Sequence, residues 1–339
     1  MNPEKNSNTS VSQQSGRRPA KIVSRILFGV GFHYIISGFI LPSISNLPIF
    51  SALNASEWGS GMFNLLLEFF IAFPLVMLFY KIFIPKDILA AAEPDTLPQA
   101  KHKFGVGSFF MCFAVAVGIS SLIQIPTDLL LNALSDALGA KATNIIESST
   151  EHASLLSLIL FFALKPGVLE ELLFRFLPRK RLHSCGDLNF ILISAFIFMI
   201  VHMNIFQIYT FASGLVFAWS YVKTKNILIP IALHFLNNAL GGIVLVLDRN
   251  FNFSLEDIYG YVSIAVAVII LIVCRKKILP GLRPPAEPGW GKNAPMIPGQ
   301  KQRSFASILL LNPGSIVMMI AWLATGLLIL FGSLLAKPL

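Results

Sequence analysis

The chain has 339 residues, of which 55% are apolar and only 13% are charged, with 29 phenylalanines among them. Soluble domains carry about 25% charged residues, so this composition excludes a soluble globular enzyme, and it equally excludes a disordered chain. The net charge of +9 lies in basic residues at the ends of apolar runs, which indicates membrane orientation and argues against nucleic-acid binding. We therefore predict an all-α, polytopic transmembrane helical bundle.

The N-terminal part begins with a polar segment, residues 1–22, which is predicted to be a disordered cytosolic tail. Residues 23–150 are predicted to hold the N-terminal transmembrane helices. Three apolar runs lie there, from Ile26 to Phe50, from about Met62 to Phe83, and from about Phe104 to just before Pro126. The polar stretch that follows, Thr127–Glu151, has room for a short interfacial helix.

The rest of the chain divides into four parts. Residues 151–250 are predicted to contain spans four to seven and to form a functional core, and residues 251–277 to form the eighth span. Residues 278–305 are a Pro-rich basic linker, and residues 306–339 are predicted to form a C-terminal transmembrane helix. The bundle would then have about eight or nine spans.

The loops alternate between basic and acidic along the chain, which fixes an expected orientation. Basic loops fall on one side and the loops richer in acid on the other when the N-terminus is cytosolic. We therefore predict a multi-pass integral protein of a bacterial cytoplasmic membrane with its N-terminus in the cytosol.

Some polar side chains in the spans are interpreted as structural. The three cysteines (Cys112, Cys185 and Cys274) are too far apart for a metal-type spacing and are predicted to be small buried hydrophobes. His33 in the first span and Glu68 in the second are predicted to form hydrogen bonds between helices.

The fourth span contains an unusual group of charges. A charged side chain in the hydrocarbon core costs about 2.5–3.5 kcal/mol or more, so Glu170, Glu171 and Arg175 each require a reason. Glu171 and Arg175 are one helical turn apart and can pair. Glu170 is offset by about 100° and lacks a local counter-ion, which makes it a candidate general base.

Two neighbouring spans contribute further polar groups. His202 ends the fifth span, and His234 and Asn238 lie one turn apart in the seventh. A single intramembrane histidine or asparagine is more often a hydrogen bond between helices. A carboxylate, two imidazoles and an amide on three spans of one contiguous stretch indicate a reactive site instead.

These residues give the chain a family resemblance. The runs Glu170-Glu171…Arg175, Phe198…His202 and His234…Asn238 resemble, in order and spacing, the three motifs of the CPBP (CAAX protease and bacteriocin-processing, or ABI) intramembrane proteases, which include the type II CAAX prenyl endopeptidases. The resemblance covers about residues 160–245. It implies an endopeptidase that cleaves near the C-terminus or the membrane-proximal part of a peptide or protein substrate.

The resemblance also implies a role for each motif residue. Glu170 and His202 would hold and deprotonate a water, while His234 and Asn238 would stabilise the oxyanion. Glu171 and Arg175 would position the helix. Alternatively, Glu170, His202 and His234 could bind Zn²⁺ with water as the fourth ligand. Metal-independent glutamate chemistry is the preferred interpretation, because the chain has no His-Glu-x-x-His run.

Two other functions stay open: a non-catalytic immunity or scaffold protein of the same fold, and a small-solute transporter. The intact polar set argues against the first, and the lack of an internal sequence repeat argues against the second. The expected partners are a peptide or protein substrate and the lipid bilayer, with no nucleic acid, and the oligomeric state is left open.

The depths of the motif residues provide a further expectation. Counted along the helices, Glu170 lies about 10 Å inside one face, whereas His202 lies about 20 Å inside it. If the motifs meet, a tilt, a kink or a later helix start must bring His202 closer to Glu170.

Overall fold

The computed structural model describes residues 4–84, 104–137, 153–248, 255–278, 280, 282–286, 290–291, 295 and 304–335. All regular secondary structure in these ranges is helical, so the predicted all-α class is confirmed. Three short 3₁₀ helices occur in the connections (Pro48–Phe50, His183–Cys185 and Ile205–Gln207).

The N-terminal helices are long and interrupted by π-helical turns, in which the hydrogen bonds skip one extra residue. Their π-helical turns are Ile36–Ile40 and Glu68–Ala72. The α-helices are α1 (Glu4–Ile35), α2 (Leu41–Ser45), α3 (Glu57–Leu67), α4 (Phe73–Phe83) and α5 (Val106–Ala137).

The central helices carry the motif residues. One continuous helical run consists of α6 (Leu155–Ser157), a π segment (Leu158–Leu164), α7 (Lys165–Glu171), a second π segment (Leu172–Phe176) and α8 (Leu177–Arg179). It is followed by α9 (Asp187–Ile200), α10 (Thr210–Thr224) and α11 (Leu228–Asp248).

The C-terminal helices are α12 (Leu255–Ile278), α13 (Phe305–Leu310) and α14 (Pro313–Leu335). Helix α12 packs along α5, and α14 packs along α1. The main buried apolar cluster joins α1, α9 and α10, and it includes Cys112 and Cys185. Both of these thiols are buried as predicted, while Cys274 is half-buried, and none of the three forms a disulfide.

Five helices in the described part of the chain are long and apolar enough to cross a membrane (Arg18–Ser45, Glu57–Phe83, Val106–Leu134, Leu228–Asp248 and Leu255–Ile278). Two shorter apolar helices, Asp187–Ile200 and Pro313–Leu328, accompany them. The run from Leu155 to Arg179 is long enough to cross a membrane, but it carries four charged residues between Leu155 and Arg175. Helix α10 has only 15 residues and is shorter than these spans. The predicted eight or nine spans therefore stay a prediction, and two of the helices that fall short, the Leu155–Arg179 run and α9, carry the first two motifs.

Two helix bounds differ from the sequence-based expectation. Helix α1 begins at Glu4, within the segment predicted to be a disordered tail. Helix α5 does not end before Pro126 but continues through it to Ala137. A proline removes one helical hydrogen bond and can kink a helix without ending it. The remainder of the polar stretch, residues 138–152, lies outside the described residues.

His33 and Glu68 hold the first two apolar helices together, as predicted. His33 Nε2 lies 2.7 Å from Glu68 Oε1, and Ser37 Oγ donates to the same oxygen at 2.8 Å. Glu68 is 6% exposed. Both helices are π-helical here, with Ser37 in one π turn and Glu68 in the other. The polar pair is thus an interhelical hydrogen-bond site.

We expect Glu68→Ala to lower the free energy of unfolding by about 1–3 kcal/mol, because His33 and Ser37 would lose a shared buried acceptor. Thermal unfolding in detergent measures the loss. Ser43→Ala is the control, since the Ser43 hydroxyl is exposed and bonds only within its own helix. Equal unfolding temperatures for the two variants would contradict the assignment.

Part of the predicted Pro-rich linker is bound to the core. We call residues 282–286 and 290–291 the strap. The Asp187 N–H donates to the Arg283 carbonyl at 2.9 Å, and the Arg283 N–H donates to Asp187 Oδ2 at 2.9 Å. The Asp187 carboxylate also accepts from Arg179 at 2.6 Å. The strap therefore ties down the connection between α8 and α9, which joins the first two motif segments.

Gly186 makes this close approach possible. Its φ is +81°, and a Cβ there would lie 2.6 Å from the Pro285 nitrogen. The left-handed backbone and the lack of room for a Cβ atom therefore both require glycine. Next to it, Asn189 Nδ2 donates to the Trp290 carbonyl at 2.8 Å, and Trp290 is 1% exposed.

We expect Gly186→Ala to displace the strap and expose Trp290 to water, which shifts tryptophan emission to longer wavelength. Fluorescence of the purified protein measures the change. Gly241→Ala is a matched control, because a Cβ at Gly241 meets no atom within 4 Å. An emission maximum in Gly186→Ala equal to that of the control would show that the strap tolerates the side chain.

Candidate active site

The helical run from Leu155 to Arg179 gives the site its shape. Its two π segments flank α7, which ends in Glu170 and Glu171. Pro166 and Pro178 lie in the first turns of α7 and α8. Each proline removes an N–H that an uninterrupted helix would use, and π turns inside α-helices are frequent at functional sites.

Glu171 is the centre of a fully buried ion-pair network. Its Oε1 accepts from Arg175 Nη1 at 2.8 Å, and both side chains are 0% exposed. This confirms the predicted pairing one turn apart. The same Oε1 lies 2.9 Å from His234 Nδ1 on α11, a contact that the sequence did not indicate. Because a carboxylate only accepts, His234 carries its proton on Nδ1 in this bond.

Two phenylalanines frame this network. The Arg175 guanidinium lies 4.3 Å from the Phe198 ring centroid and 5.6 Å from that of Phe217. The His234 ring stacks on Phe217 at 5.2 Å and meets the edge of Phe198 at 5.3 Å. These cation–π and ring contacts hold the guanidinium and the imidazole between buried aromatic rings.

Glu170 is the carboxylate of the site that lacks a strong partner. Its side chain is 27% exposed, and Oε2 lies 3.9 Å from His234 Nε2, beyond hydrogen-bond distance. Among the described residues no donor bonds this oxygen, although the atom itself is buried. Of the two carboxylates, Glu171 is therefore paired, and Glu170 Oε2 has no hydrogen-bond donor among the described residues.

His202 reaches the site at the end of α9. The start of this helix at Asp187 is not later than expected. The helix ends at Ile200, and the chain turns at His202. Its Nδ1 lies 2.5 Å from the Phe198 carbonyl, which can only accept, so Nδ1 carries the proton and Nε2 keeps its lone pair. His202 lies within electrostatic range of Glu170, His234 and Arg175.

Asn238 lies one turn beyond His234 on α11 and contacts the same helical run. Its Nδ2 donates to the Phe162 carbonyl at 3.2 Å. Gly167 lets α7 and α11 approach closely, because a Cβ there would lie 3.1 Å from the Phe235 nitrogen. The structure thus places all six predicted residues on the facing sides of the Leu155–Arg179 run, α9 and α11.

Sequence reasoning missed the residues that hold the predicted ones in place. Phe217 carries no polar group and is one of 29 phenylalanines, so nothing in the sequence distinguishes it. The Phe162 carbonyl is a backbone group. The one available signal was Pro166, four residues after Phe162, since a proline cannot donate to the carbonyl four residues earlier.

The same geometry bears on the three candidate metal ligands, Glu170, His202 and His234. In the described ranges no group of three His, Cys, Asp or Glu side chains is arranged to hold a metal ion. His234 directs Nδ1 to Glu171, and His202 directs Nδ1 to a backbone carbonyl. Both bonds leave Nε2 free, as they do in metal-binding histidines, so it is the arrangement of Glu170, His202 and His234, and not their protonation, that does not fit Zn²⁺ as it stands.

Comparison with known proteins gives one match. Residues 152–240 match the family model described as Type II CAAX prenyl endopeptidase Rce1-like. No curated protein and no solved structure matches the chain. The matched segment contains the six site residues and all three motifs. The chain is thus a multi-pass membrane protein whose residues 152–240 match the Rce1-like family model, consistent with the CAAX protease family that its motifs resemble.

Proposed function

We propose that the protein is an intramembrane endopeptidase that hydrolyses a peptide bond near the C-terminus or the membrane-proximal part of its substrate. The observation that carries the proposal is Glu170. Its Oε2 is buried and lacks a hydrogen-bond partner among the described residues, in a domain that matches a protease family. Buried polar groups are nearly always paired, and exceptions are typical of reactive sites.

The attacking water would be held and deprotonated by Glu170 and His202. A carboxylate in apolar surroundings that lacks a cationic partner within hydrogen-bond distance is a suitable base. His202 contributes Nε2, because its Nδ1 proton is committed to the Phe198 carbonyl. The water oxygen would bond to the substrate carbonyl carbon, and its proton would pass to Glu170 and then to the leaving amine as the peptide bond breaks.

The negative charge that develops on the substrate oxygen would be stabilised by His234 and Asn238. His234 is held through Nδ1 by Glu171, so its Nε2 is the atom directed toward Glu170 and the reacting group, and it would donate to the oxyanion with the ring protonated on both nitrogens. Asn238 offers an amide N–H. Removing one such donor typically costs about 10²–10³ in kcat. Glu171 and Arg175 would hold the helix and the imidazole in place without contacting the substrate.

The proposed orientation follows from charge. We propose a cytosolic N-terminus in a bacterial membrane, because the basic loops then lie on the cytosolic side. Labelling of Lys225→Cys by a membrane-impermeant thiol reagent in right-side-out vesicles tests it. Protection until the membrane is permeabilised supports the orientation, and immediate labelling reverses it.

Cleavage of a fluorogenic peptide library by the purified protein in nanodiscs tests the function. We expect cleavage by the wild type, loss in His202→Ala, and no effect of 1,10-phenanthroline. Inhibition by the chelator with recovery on adding Zn²⁺ would overturn the metal-independent chemistry. Cleavage retained in His202→Ala would overturn the role of the imidazole. Solute flux in proteoliposomes without cleavage would favour the transporter, and neither activity would favour the scaffold.

A further inference from the structure

The side-chain amide of Asn238 has a bonding partner on each of its two polar atoms. Nδ2 donates to the Phe162 carbonyl at 3.2 Å, and Oδ1 accepts from Asn237 Nδ2 at 3.3 Å. Rotating this amide by 180° would place the Asn238 side-chain oxygen against the Phe162 carbonyl oxygen. It would also place the N–H group of Asn238 against the N–H group of Asn237. The contact with the carbonyl, which can only accept, would then be repulsive and selects this orientation of the amide, and Asn237 Nδ2 donates to the Oδ1 so placed.

Pro166 lies four residues after Phe162 and cannot donate to its carbonyl. In an α-helix this carbonyl would accept from the N–H of residue 166, and proline has none. The same helical run repeats the arrangement at its other proline. Pro178 likewise cannot donate to the Phe174 carbonyl, and Ser194 Oγ on α9 donates to that carbonyl at 2.9 Å. In both places a neighbouring helix bonds to the carbonyl that lies four residues before a proline.

We propose that Asn237 and Pro166 are positioning residues that hold the Asn238 amide with an N–H, and not its oxygen, available to the reacting group. Of the two hydrogens on Asn238 Nδ2, one is used by the Phe162 carbonyl and the second is free to donate. A flipped amide would present an oxygen, which repels an oxyanion. The proposal rests on the proposed function and adds to it two residues that are not among the six motif positions.

A double-mutant cycle on the cleaved peptide tests the proposal. Asn237→Ala is expected to lower kcat about five- to tenfold with KM unchanged, the effect of one lost orienting hydrogen bond. In the Asn238→Ala background the same substitution should have no further effect, because it acts only through that amide. Equal losses in both backgrounds, or a change confined to KM, would overturn the assignment.

Pro166→Ala provides the second variant, since it restores an N–H at residue 166 that competes for the Phe162 carbonyl. It should lower kcat in the wild type and leave Asn238→Ala unchanged. Pro178→Ala is the matched control, because it acts on the Phe174 carbonyl and Ser194 instead. A kcat in Pro166→Ala no lower than in Pro178→Ala would contradict the role of the proline.

A spectroscopic readout separates this inference from the proposed function. In protein labelled with ¹⁵N-asparagine, the two side-chain amide proton signals of Asn238 are identified by their loss in Asn238→Ala. They should shift in Asn237→Ala and Pro166→Ala but not in Pro178→Ala. If the wild type cleaves nothing, the proposed function fails while this measurement still decides the amide orientation. Unshifted signals in both variants would overturn the positioning role.

Discussion

Replacing Glu170 by glutamine is expected to lower kcat by about 10²–10⁴-fold, the usual contribution of a general base. The substitution keeps the shape of the side chain and removes its ability to take a proton. Because Glu170 Oε2 makes no hydrogen bond in the described structure, the unfolding temperature should stay near that of the wild type. Steady-state cleavage in nanodiscs and thermal unfolding of the same preparation measure the two quantities.

Glu57→Gln is the control for this prediction. Glu57 is an exposed carboxylate at the start of α3, where it accepts from the Ser154 N–H at 3.3 Å. Its replacement should leave kcat within about twofold of the wild type, as expected of a surface substitution. A Glu170→Gln variant that keeps more than a tenth of the wild-type kcat would remove Glu170 from the role of base.

Replacing Arg175 by methionine should act on the fold and not on the chemistry. Breaking a buried ion pair costs about 3–5 kcal/mol, because the remaining charge has no counter-ion. Here Glu171 is 0% exposed and would keep only His234 as a partner. The Phe198 and Phe217 rings would also lose the guanidinium that they enclose. We expect a large drop in the unfolding temperature and in the yield of folded protein.

Two comparisons separate this loss from a general effect of removing a charge. The double variant Glu171→Gln/Arg175→Met leaves no unpaired charge and should recover part of the stability. Lys180→Met removes an exposed cation from the end of the same helical run, where it contacts only the Phe176 ring. If Arg175→Met were as stable as Lys180→Met, the buried network would not be a main support of the core.

The sequence identified the candidate site residues because polar groups are costly in apolar helices. Glu170, Glu171 and Arg175 stand out for that reason, and the one-turn spacing of Glu171 and Arg175 is enough to predict their bond. His33 and Glu68 stand out in the same way, and the structure pairs them directly. The cost of burying polar groups therefore points to the candidate site residues, and local spacing predicts which near neighbours pair.

Contacts between distant parts of the chain were not accessible in this way. The bond between His234 and Glu171 depends on how α11 packs against α7, which no local pattern specifies. The binding of the strap to Asp187 depends on a linker whose composition alone predicts no partner. The depth estimate for His202 assumed a straight span, whereas α9 ends at Ile200 and the chain turns there.

The most direct test of the central claim is the mass spectrum of the products that the wild-type protein forms from a cleaved peptide in H₂¹⁸O. Hydrolysis by an activated water predicts two fragments, with ¹⁸O in the new C-terminal carboxyl group and a yield that collapses in Glu170→Gln. Fragments formed in equal yield by the wild type and by Glu170→Gln would contradict the account, because the cleavage would then not depend on this carboxylate.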